Sequence, residues 1–250
     1  MDIVRFQIFI LIFMRIASFF VSSPFFSLRG IPAMMKIGFS FALALIIYTM
    51  APEINTDFST PLFFYILIIR EVFIGLTLGF VTNLVYMSIQ MAGQMADIKL
   101  GFAMAAVFDP VTQNRSSIYG RLYNWIGLVL FFTINGHYYL LYSIIESYSF
   151  IPAGVIEAQG INIGQIIVIF TKSFTMAFQI SAPLLLVGFI SDLIMGFIAR
   201  TVPQLNVFIL GMPLKIIIGL ITFVILLPQA SNLLISVFED IPSALEKVMR

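Results

Sequence analysis

The chain offers few side chains of the kinds that perform chemistry in proteins. It contains one histidine, His137, and no cysteine, so His137 has no second imidazole or thiolate with which to bind a metal ion. Serines are present, but none lies in the Gly-x-Ser-x-Gly setting of an activated nucleophile. The glycines form neither a P-loop nor a GxGxxG fingerprint. The residue types therefore predict a protein that is not an enzyme and that holds no cofactor or metal.

Ionisable side chains inside apolar segments form a second group of candidates, because each costs at least about 2.5–3.5 kcal/mol near the bilayer centre. This group comprises Arg15, Arg70, Glu71, Asp97, Lys99, Lys172 and Asp192. One interpretation is that they form buried ion pairs or snorkel to the interface. The other is a small-solute secondary transporter in which Asp97, Lys99 and Asp192 form a mid-membrane site. Since Arg70 and Glu71 point about 100° apart on a helix, each is predicted to meet another segment or subunit.

The overall composition explains why these charges are exceptional. Hydrophobic residues make up 60% of the 250 residues and charged residues 10%, whereas soluble domains carry about 45–50% and about 25% respectively. A soluble protein of this size would lack the charge to cover its surface. The net charge of +1 provides no basic footprint for nucleic acid. We therefore predict an all-α, polytopic membrane protein that contacts lipid and binds no nucleic acid.

Six apolar segments approach the length of about 20 residues that a membrane-spanning helix needs. They cover residues 3–21, 37–51, 62–91, 122–145, 166–190 and 216–238, and residues 192–215 form a weaker seventh segment. The prolines expected to break or kink these helices are Pro32, Pro110, Pro183, Pro203, Pro213 and Pro228. The pattern predicts Gly/Pro-broken helical hairpins in a single membrane domain over residues 1–250, with a short loop near 108–121 and a short C-terminal tail at 239–250.

Small residues at helical spacing indicate surfaces on which two helices can approach closely. Gly75 and Gly79 form a GxxxG pair, and Gly93, Asp97 and Gly101 recur every four residues among several alanines. Such spacing lets a second helix pack against the small side chains, which is the interpretation we favour. The alternative is a stripe of small residues that lines a narrow passage.

Five groups of residues resemble the FliR family of flagellar export-gate proteins, and they occur in family order. They are Arg15-Ile16-Ala17 through Pro24 with Gly30-Ile31-Pro32 and Lys36-Ile37-Gly38; Glu71-Val72-Phe73-Ile74-Gly75 with Gly79-Phe80; Ala92-Gly93-Gln94 through Leu100-Gly101-Phe102-Ala103 with Phe108-Asp109-Pro110; Phe132-Thr133-Ile134-Asn135-Gly136-His137; and Ala199-Arg200 with Pro203-Gln204-Leu205-Asn206-Val207-Phe208 and Gly211-Met212-Pro213-Leu214-Lys215. Together they are specific and cover residues from about 15 to about 220.

The resemblance implies a structural and gating subunit of the flagellar type III export gate, which passes unfolded flagellar proteins across the bacterial inner membrane. FliP and FliQ are the implied gate partners, and FlhB and FlhA are the implied export proteins that associate with the gate. The implied location is the inner membrane at the flagellar basal body, with several membrane passes. The implied fold is a set of helical hairpins packed into a larger hetero-oligomer. The equivalent subunit of a virulence injectisome is the alternative.

The resemblance also implies candidate site residues. The family's counterpart of the loop after Asp109-Pro110 helps to close the channel, and an ordinary hairpin turn is the alternative for this loop. The implied plug consists of Phe108, Asp109, Pro110, Val111, Thr112, Gln113, Asn114, Arg115, Ser116 and Ser117. With the charges and small residues above, the residues expected to serve assembly or packing are Arg15, Arg70, Glu71, Gly75, Gly79, Gly93, Asp97, Lys99, Gly101, Arg200, Pro203, Gln204, Asn206, Gly211, Pro213 and Lys215.

Overall fold

Helices make up almost all of the chain that the computed structural model describes. The described residues are 3–27, 31–50, 60–102, 117–154, 161–204 and 207–250. The helices within them are α1 (Ile3–Ser22), α2 (Ala33–Met50), α3 (Pro61–Leu100), α4 (Ile118–Thr133), α5 (Gly136–Phe150), α6 (Ile163–Thr201) and α7 (Val207–Met249). The described ranges contain no strand, and the prediction of an all-α protein is confirmed.

Four of these helices are long and apolar enough to cross a membrane, namely α1, α3, α6 and the part of α7 from Gly211 to Met249. Helices α4 and α5 can together form a fifth, broken span, while α2 is a shorter apolar helix. A span needs about 20 apolar residues, so four or five crossings fit the described helices. The prediction of a polytopic membrane protein is confirmed.

Prolines interrupt the long helices less than the sequence pattern predicts. Helix α6 continues through Pro183, and α7 continues through Pro213 and Pro228, so none of these three residues ends a helix. Proline removes one backbone donor, but a helix that ended inside the membrane would present several more unpaired backbone groups to lipid. Of the other prolines, Pro32 and Pro203 lie just outside helices.

Longer helices also change two predicted boundaries. The segment at 166–190 and the beginning of the segment at 192–215 belong to the single helix α6. Residues 239–249, expected to form a short tail, continue α7 as helix. This end of α7 is packed, because Leu245 and Val248 are buried and the N–H of Asn162 donates to the carbonyl oxygen of Val248 over 2.9 Å.

The predicted segment at 122–145 is instead divided into α4 and α5. Between them, Asn135 has φ 57° and ψ 33°, in the left-handed region that asparagine adopts more readily than most residues. The preceding N–H, that of Ile134, donates to the carbonyl oxygen of Leu130 over 2.9 Å and completes α4. The Asn135-Gly136 pair is thus the local cause of the break, and α5 begins at Gly136.

The helices contribute to two compact units. The first unit comprises residues 1–85, 135–170 and 239–250, and the second comprises residues 86–134 and 171–238. In the first unit, α1 packs on α2 with the rings of Phe9 and Phe41 edge to face at 5.3 Å. In the second unit, Tyr119 and Tyr123 of α4 pack edge to face against Phe223 of α7 at 5.3 and 5.2 Å. Aromatic pairs in this geometry stabilise a core beyond their buried area.

The later long helices carry much uncovered apolar surface. Buried residues make up 44% of the most apolar 18-residue window in α1, but 17% of that window in α6 and in α7. Phe178 and Phe197 of α6 and Val224 of α7 are among the exposed large side chains. Apolar surface of this extent requires lipid or other subunits against it.

Candidate functional site: two clusters of charged residues

A fully buried arginine connects three helices of the first unit. Arg15 in α1 is 0% exposed, and its Nε donates to Oε2 of Glu71 in α3 over 2.6 Å. Its Nη1 donates to the carbonyl oxygen of Ser147 over 3.3 Å and to the hydroxyl of Ser147 over 3.2 Å. Its Nη2 donates to the carbonyl oxygen of Ile151 over 2.8 Å. One guanidinium therefore links α1, α3 and the C-terminal end of α5.

The end of α5 suits a positive charge for physical reasons. The last carbonyl groups of a helix have no partner further along it, and the helix dipole favours a cation there. Tyr148 adds a further contact, since its ring centroid lies 4.1 Å from Cζ of Arg15, within the range of a cation–π interaction. The phenol of Tyr148 also donates to the carbonyl oxygen of Ile12 over 3.1 Å. Protein groups thus satisfy a charge that lipid could not.

Glu71 balances the charge of Arg15 inside the same unit. Its side chain is 0% exposed, and its Oε1 has no hydrogen-bond partner within the described part of the chain. Arg70 is partly buried and points about 100° away on the helix. Glu71 therefore meets another segment of the chain, α1. A buried pair of this kind strongly penalises the loss of one partner, because the remaining charge stays out of water.

Gly75 and Gly79 let α3 approach α1 closely. A Cβ atom at Gly75 would overlap Oγ of Ser18 and the backbone oxygen of Arg15. A Cβ atom at Gly79 would lie 2.8 Å from Cβ of Ser22, which is too close for two carbon atoms. The GxxxG pair therefore faces a neighbouring helix of the same chain, as such spacing allows.

In the second unit, Asp97 binds the start of α4. Its Oδ1 accepts the backbone N–H of Tyr119 over 3.1 Å, and its Oδ2 accepts the hydroxyl of Ser117. Ser117 is the N-cap of α4 and accepts the N–H of Gly120 over 2.7 Å. The first N–H groups of a helix have no partner within it. The carboxylate of Asp97 is therefore occupied in completing the start of a helix.

Two glycines meet where α3 and α4 approach. A Cβ atom at Gly93 would overlap the backbone N and Cα of Gly120 and lie 2.6 Å from the backbone carbonyl carbon of Tyr119. Backbone atoms cannot rotate aside as the end of a side chain can. At the end of α3, Gly101 has φ 92°, a conformation that glycine adopts without strain. The stripe of small residues thus faces α4 at Gly93 and ends α3 at Gly101.

A second charge cluster joins α3, α6 and α7 within the second unit. Nζ of Lys99 lies 2.8 Å from Oδ2 of Asp192, and Nζ of Lys215 contacts Oδ1 of the same carboxylate. The side chains of Lys99, Lys215 and Asp192 are 32%, 19% and 39% exposed. Two positive charges therefore share one negative charge at a partly open position.

The residues of the hypothetical solute site are divided between these arrangements. Lys99 and Asp192 form an ion pair, whereas the carboxylate of Asp97 is bound by Ser117 and Tyr119. A three-residue site would require the carboxylate of Asp97 to face the bound solute. The geometry does not favour the transporter interpretation.

The remaining candidates lie at helix ends or outside the described residues. Arg200, Pro203, Gln204 and Pro213 are exposed, and Gly211 is buried. Asn206 and the predicted plug residues 108–116 lie outside the described residues. Ser117, the last residue of the predicted plug, is described and caps α4.

His137 lies in the first turn of α5, with its ring centroid 4.3 Å from that of Tyr138. Across the ranges that the structure describes, no group of three His, Cys, Asp or Glu side chains could hold a metal ion. The charged side chains of the described clusters thus form ion pairs and hydrogen bonds to the ends of helices.

Some contact residues were not singled out from the sequence. Ser147 and Ile151 bind Arg15, and Gly120 accommodates the approach of α3. A serine directly before an apolar helix is a recognised capping signal, so the role of Ser117 could have been found. The partners of Arg15 carry no local signal, because they are set by tertiary packing.

Comparison with known proteins supports the resemblance. The chain matches the family model described as bacterial export proteins, family 1, over residues 6–241. It is 35% identical to the flagellar biosynthetic protein FliR of Bacillus subtilis (strain 168), over 88% of this chain and 86% of the relative. Identity to the protein of the same name from Escherichia coli (strain K12) is 24%, over 94% and 90%.

A relative from a secretion system matches as well. The chain is 30% identical to the secretion system apparatus protein SsaT of Salmonella typhimurium, over 66% of this chain and 64% of the relative. The family model covers most of the chain and the similarity to FliR extends over most of both sequences. The chain therefore belongs to the FliR family, the bacterial export proteins of family 1.

Proposed function

We propose that this chain is a structural and gating subunit of a flagellar type III protein export gate in the bacterial inner membrane. Its membership of the export family carries the proposal. The buried charges support it, because Arg15, Glu71 and Asp97 are bound by groups of the same chain. Charges bound in this way hold helices together, as a subunit of an assembly requires. Because the carboxylate of Asp97 already binds the start of α4, it does not face a solute.

The proposed gate partners are subunits of the FliP and FliQ types, with export proteins of the FlhB and FlhA types associated with the gate. Unfolded flagellar proteins would be the cargo, and the flagellar basal body would be the location. The resemblance supports these partners, and the exposed apolar faces of α6 and α7 offer surface for neighbouring subunits. Residues 1–250 would act together as one export-gate domain.

We further propose that the chain catalyses no reaction and needs no cofactor. A conduit for unfolded chains has to supply a passage and a closure, whereas the resemblance implies that the energy for export would come from the proton gradient and from separate components. The family resemblance supports this division of roles.

The equivalent subunit of an injectisome is a second candidate, favoured by the 30% identity to SsaT. The similarity to FliR of Bacillus subtilis extends over a larger share of both proteins, which favours flagellar service. Restoration of motility in a strain that lacks its own FliR-type subunit would support the flagellar role. Restoration of injectisome secretion without motility would support the second candidate.

We expect gentle detergent extraction of the tagged full-length chain from its own cells to recover a large hetero-oligomer. Size-exclusion chromatography with light scattering gives the mass, and mass spectrometry identifies the co-purified subunits. The control is a strain that lacks the FliP-type subunit, in which the mass should fall. Recovery of a monomer or homo-oligomer that binds a small solute would contradict the proposal and support a transporter.

We propose that residues 108–117 help to close the passage. Pro110 disfavours a continuing helix, and Asn114, Ser116 and Ser117 suit a loop. Deletion of residues 113–116 is expected to make cells leak ions, measured as potassium efflux from washed cells. Deletion of residues 156–159, in a different connection between helices, is the matched control. An unchanged leak with the complex still assembled would show that this loop is an ordinary turn.

A further inference from the structure

The charge cluster of Lys99, Asp192 and Lys215 has an excess of one positive charge. Each carboxylate oxygen of Asp192 is engaged by a different ammonium group. An ammonium group has three N–H donors, so two lysines retain donors after sharing a single carboxylate. The second unit thus presents cationic donors for a further anion.

A cavity opens beside this cluster between α6 and α7, with a volume of about 270 Å³. Asp192 and Lys215 lie on its polar side, while Gly196, Gly211 and Met212 form part of its wall. The volume is many times the roughly 10–15 Å³ that a cavity needs in order to hold one water. Because two wall residues are glycines, the cavity can admit a phosphodiester group to Lys215.

The remaining wall of the cavity is mostly apolar, because Met195, Ala199 and Met212 line it together with the two glycines. Leu193, Phe197 and Leu214, each next in sequence to a cavity residue, are exposed large apolar side chains. Such side chains gain by contact with hydrocarbon. A cationic side chain in an otherwise apolar cavity matches an amphiphile whose headgroup is anionic. A free inorganic anion would contact the cationic side chain alone.

One member of the cluster lies at a helix end, where lipid headgroups are expected. Lys99 is in the last turn of α3, and Arg200, outside the cluster, is exposed in the last turn of α6. Basic groups at the ends of membrane helices typically face the headgroup region. Lys99 is therefore placed to meet a phosphate at the edge of the bilayer, and Lys215 lies beside it because both lysines contact Asp192.

We propose that Lys99 and Lys215 bind the phosphate of an anionic phospholipid, whose acyl chains contact only the exposed apolar side chains of α6 and α7 beside this cavity. Asp192 holds the two ammonium groups together and lowers their mutual repulsion. The proposal depends on the membrane location of the chain and is independent of its role in export.

The test uses the intact complex, freed of endogenous lipid in detergent. The probes are phosphatidylglycerol and phosphatidylcholine with identical acyl chains, and bound lipid is counted by native mass spectrometry. A photoactivatable phosphatidylglycerol locates the site through cross-links to α6 and α7. We expect phosphatidylglycerol to bind at least about fivefold more tightly than phosphatidylcholine, the ratio that one net positive charge near a headgroup supplies.

Two variants change the charge in opposite directions. Lys215→Gln makes the cluster neutral while keeping the pair of Lys99 and Asp192, and it should abolish the preference for phosphatidylglycerol. Asp192→Asn raises the excess charge and should increase the preference. If Lys215 and Asp192 only stabilised the fold, both variants would bind phosphatidylglycerol more weakly. The matched control is Lys172→Gln, which removes one lysine from α6 about 30 Å along the helix from Asp192.

Several outcomes of the experiment on the intact complex would overturn the proposal. They are equal binding of the two lipids, an unchanged preference in Lys215→Gln, cross-links that map away from α6 and α7, and loss of the preference when inorganic phosphate is added at equal concentration. The last would identify a site for small anions. Should the isolated chain bind phosphatidylglycerol at this cavity and the intact complex not, an acidic segment of a partner subunit would be the occupant instead.

Discussion

Glu71→Ala is expected to lower the free energy of unfolding by about 3–5 kcal/mol, because it leaves the fully buried guanidinium of Arg15 without its counter-charge. Two backbone carbonyls and the hydroxyl of Ser147 would still accept hydrogen bonds from Arg15, but none of them carries a negative charge. The measurement is the thermal unfolding of the purified full-length chain in detergent, together with the yield of assembled complex.

Removing both charges should be less harmful than removing one. In the double variant Arg15→Met with Glu71→Leu, neither charge of this pair remains, and much of the stability should return. Recovery should be incomplete, because the carbonyl groups of Ser147 and Ile151 lose their donor. Glu239→Ala, at an exposed glutamate of α7, is the control. A double variant as unstable as Glu71→Ala would show that charge balance is not the reason for the loss.

Gly93→Ala is expected to destabilise the second unit by about 3 kcal/mol, the upper end of typical overpacking costs. The added methyl would collide with the backbone of Gly120 and Tyr119, so α3 and α4 would have to separate along their whole contact. Separation would also strain the bonds from Asp97 to Ser117 and Tyr119. The expected result is a lower unfolding temperature and a reduced yield of complex.

Two other glycines provide controls for this prediction. Gly38→Ala meets no atom within 4 Å and should be neutral or stabilising by about 0.5–1 kcal/mol, because alanine favours helix. Gly188→Ala would meet Cγ of Lys99 at 2.7 Å, and this flexible side chain can move aside. We therefore expect the unfolding temperature of Gly188→Ala to lie between those of Gly93→Ala and Gly38→Ala. Equal unfolding temperatures for Gly93→Ala and Gly38→Ala would refute a steric role for Gly93.

Much of the helical architecture could be predicted from the sequence, because apolar composition over lengths of about 20 residues is sufficient to identify membrane helices. The boundaries were less predictable. Pro183 and Pro228 lie inside helices that continue, since the surrounding backbone gains more from remaining paired than one proline removes. Asn135-Gly136, which does divide a segment, is a stronger local signal because its backbone adopts a left-handed conformation.

The contacts of the charged residues were predictable in kind and not in detail. A charge at Arg15 inside an apolar helix had to find a partner, but Glu71 lies 56 residues away, and no local pattern connects the two. The same holds for Lys99 and Asp192. Partner choice depends on which helix faces are brought together, and that information resides in the packing of the whole unit.

The network around Arg15 has a consequence for the synthesis of the protein. The carbonyl of Ile151 that completes the set of acceptors lies 136 residues after Arg15. At a translation rate of about 5–20 residues per second, this interval lasts about 7–27 s. During that time α1 has already left the ribosome with a charge whose final acceptors do not yet exist. Arg15 can therefore have its complete set of acceptors only after α5 has been synthesised.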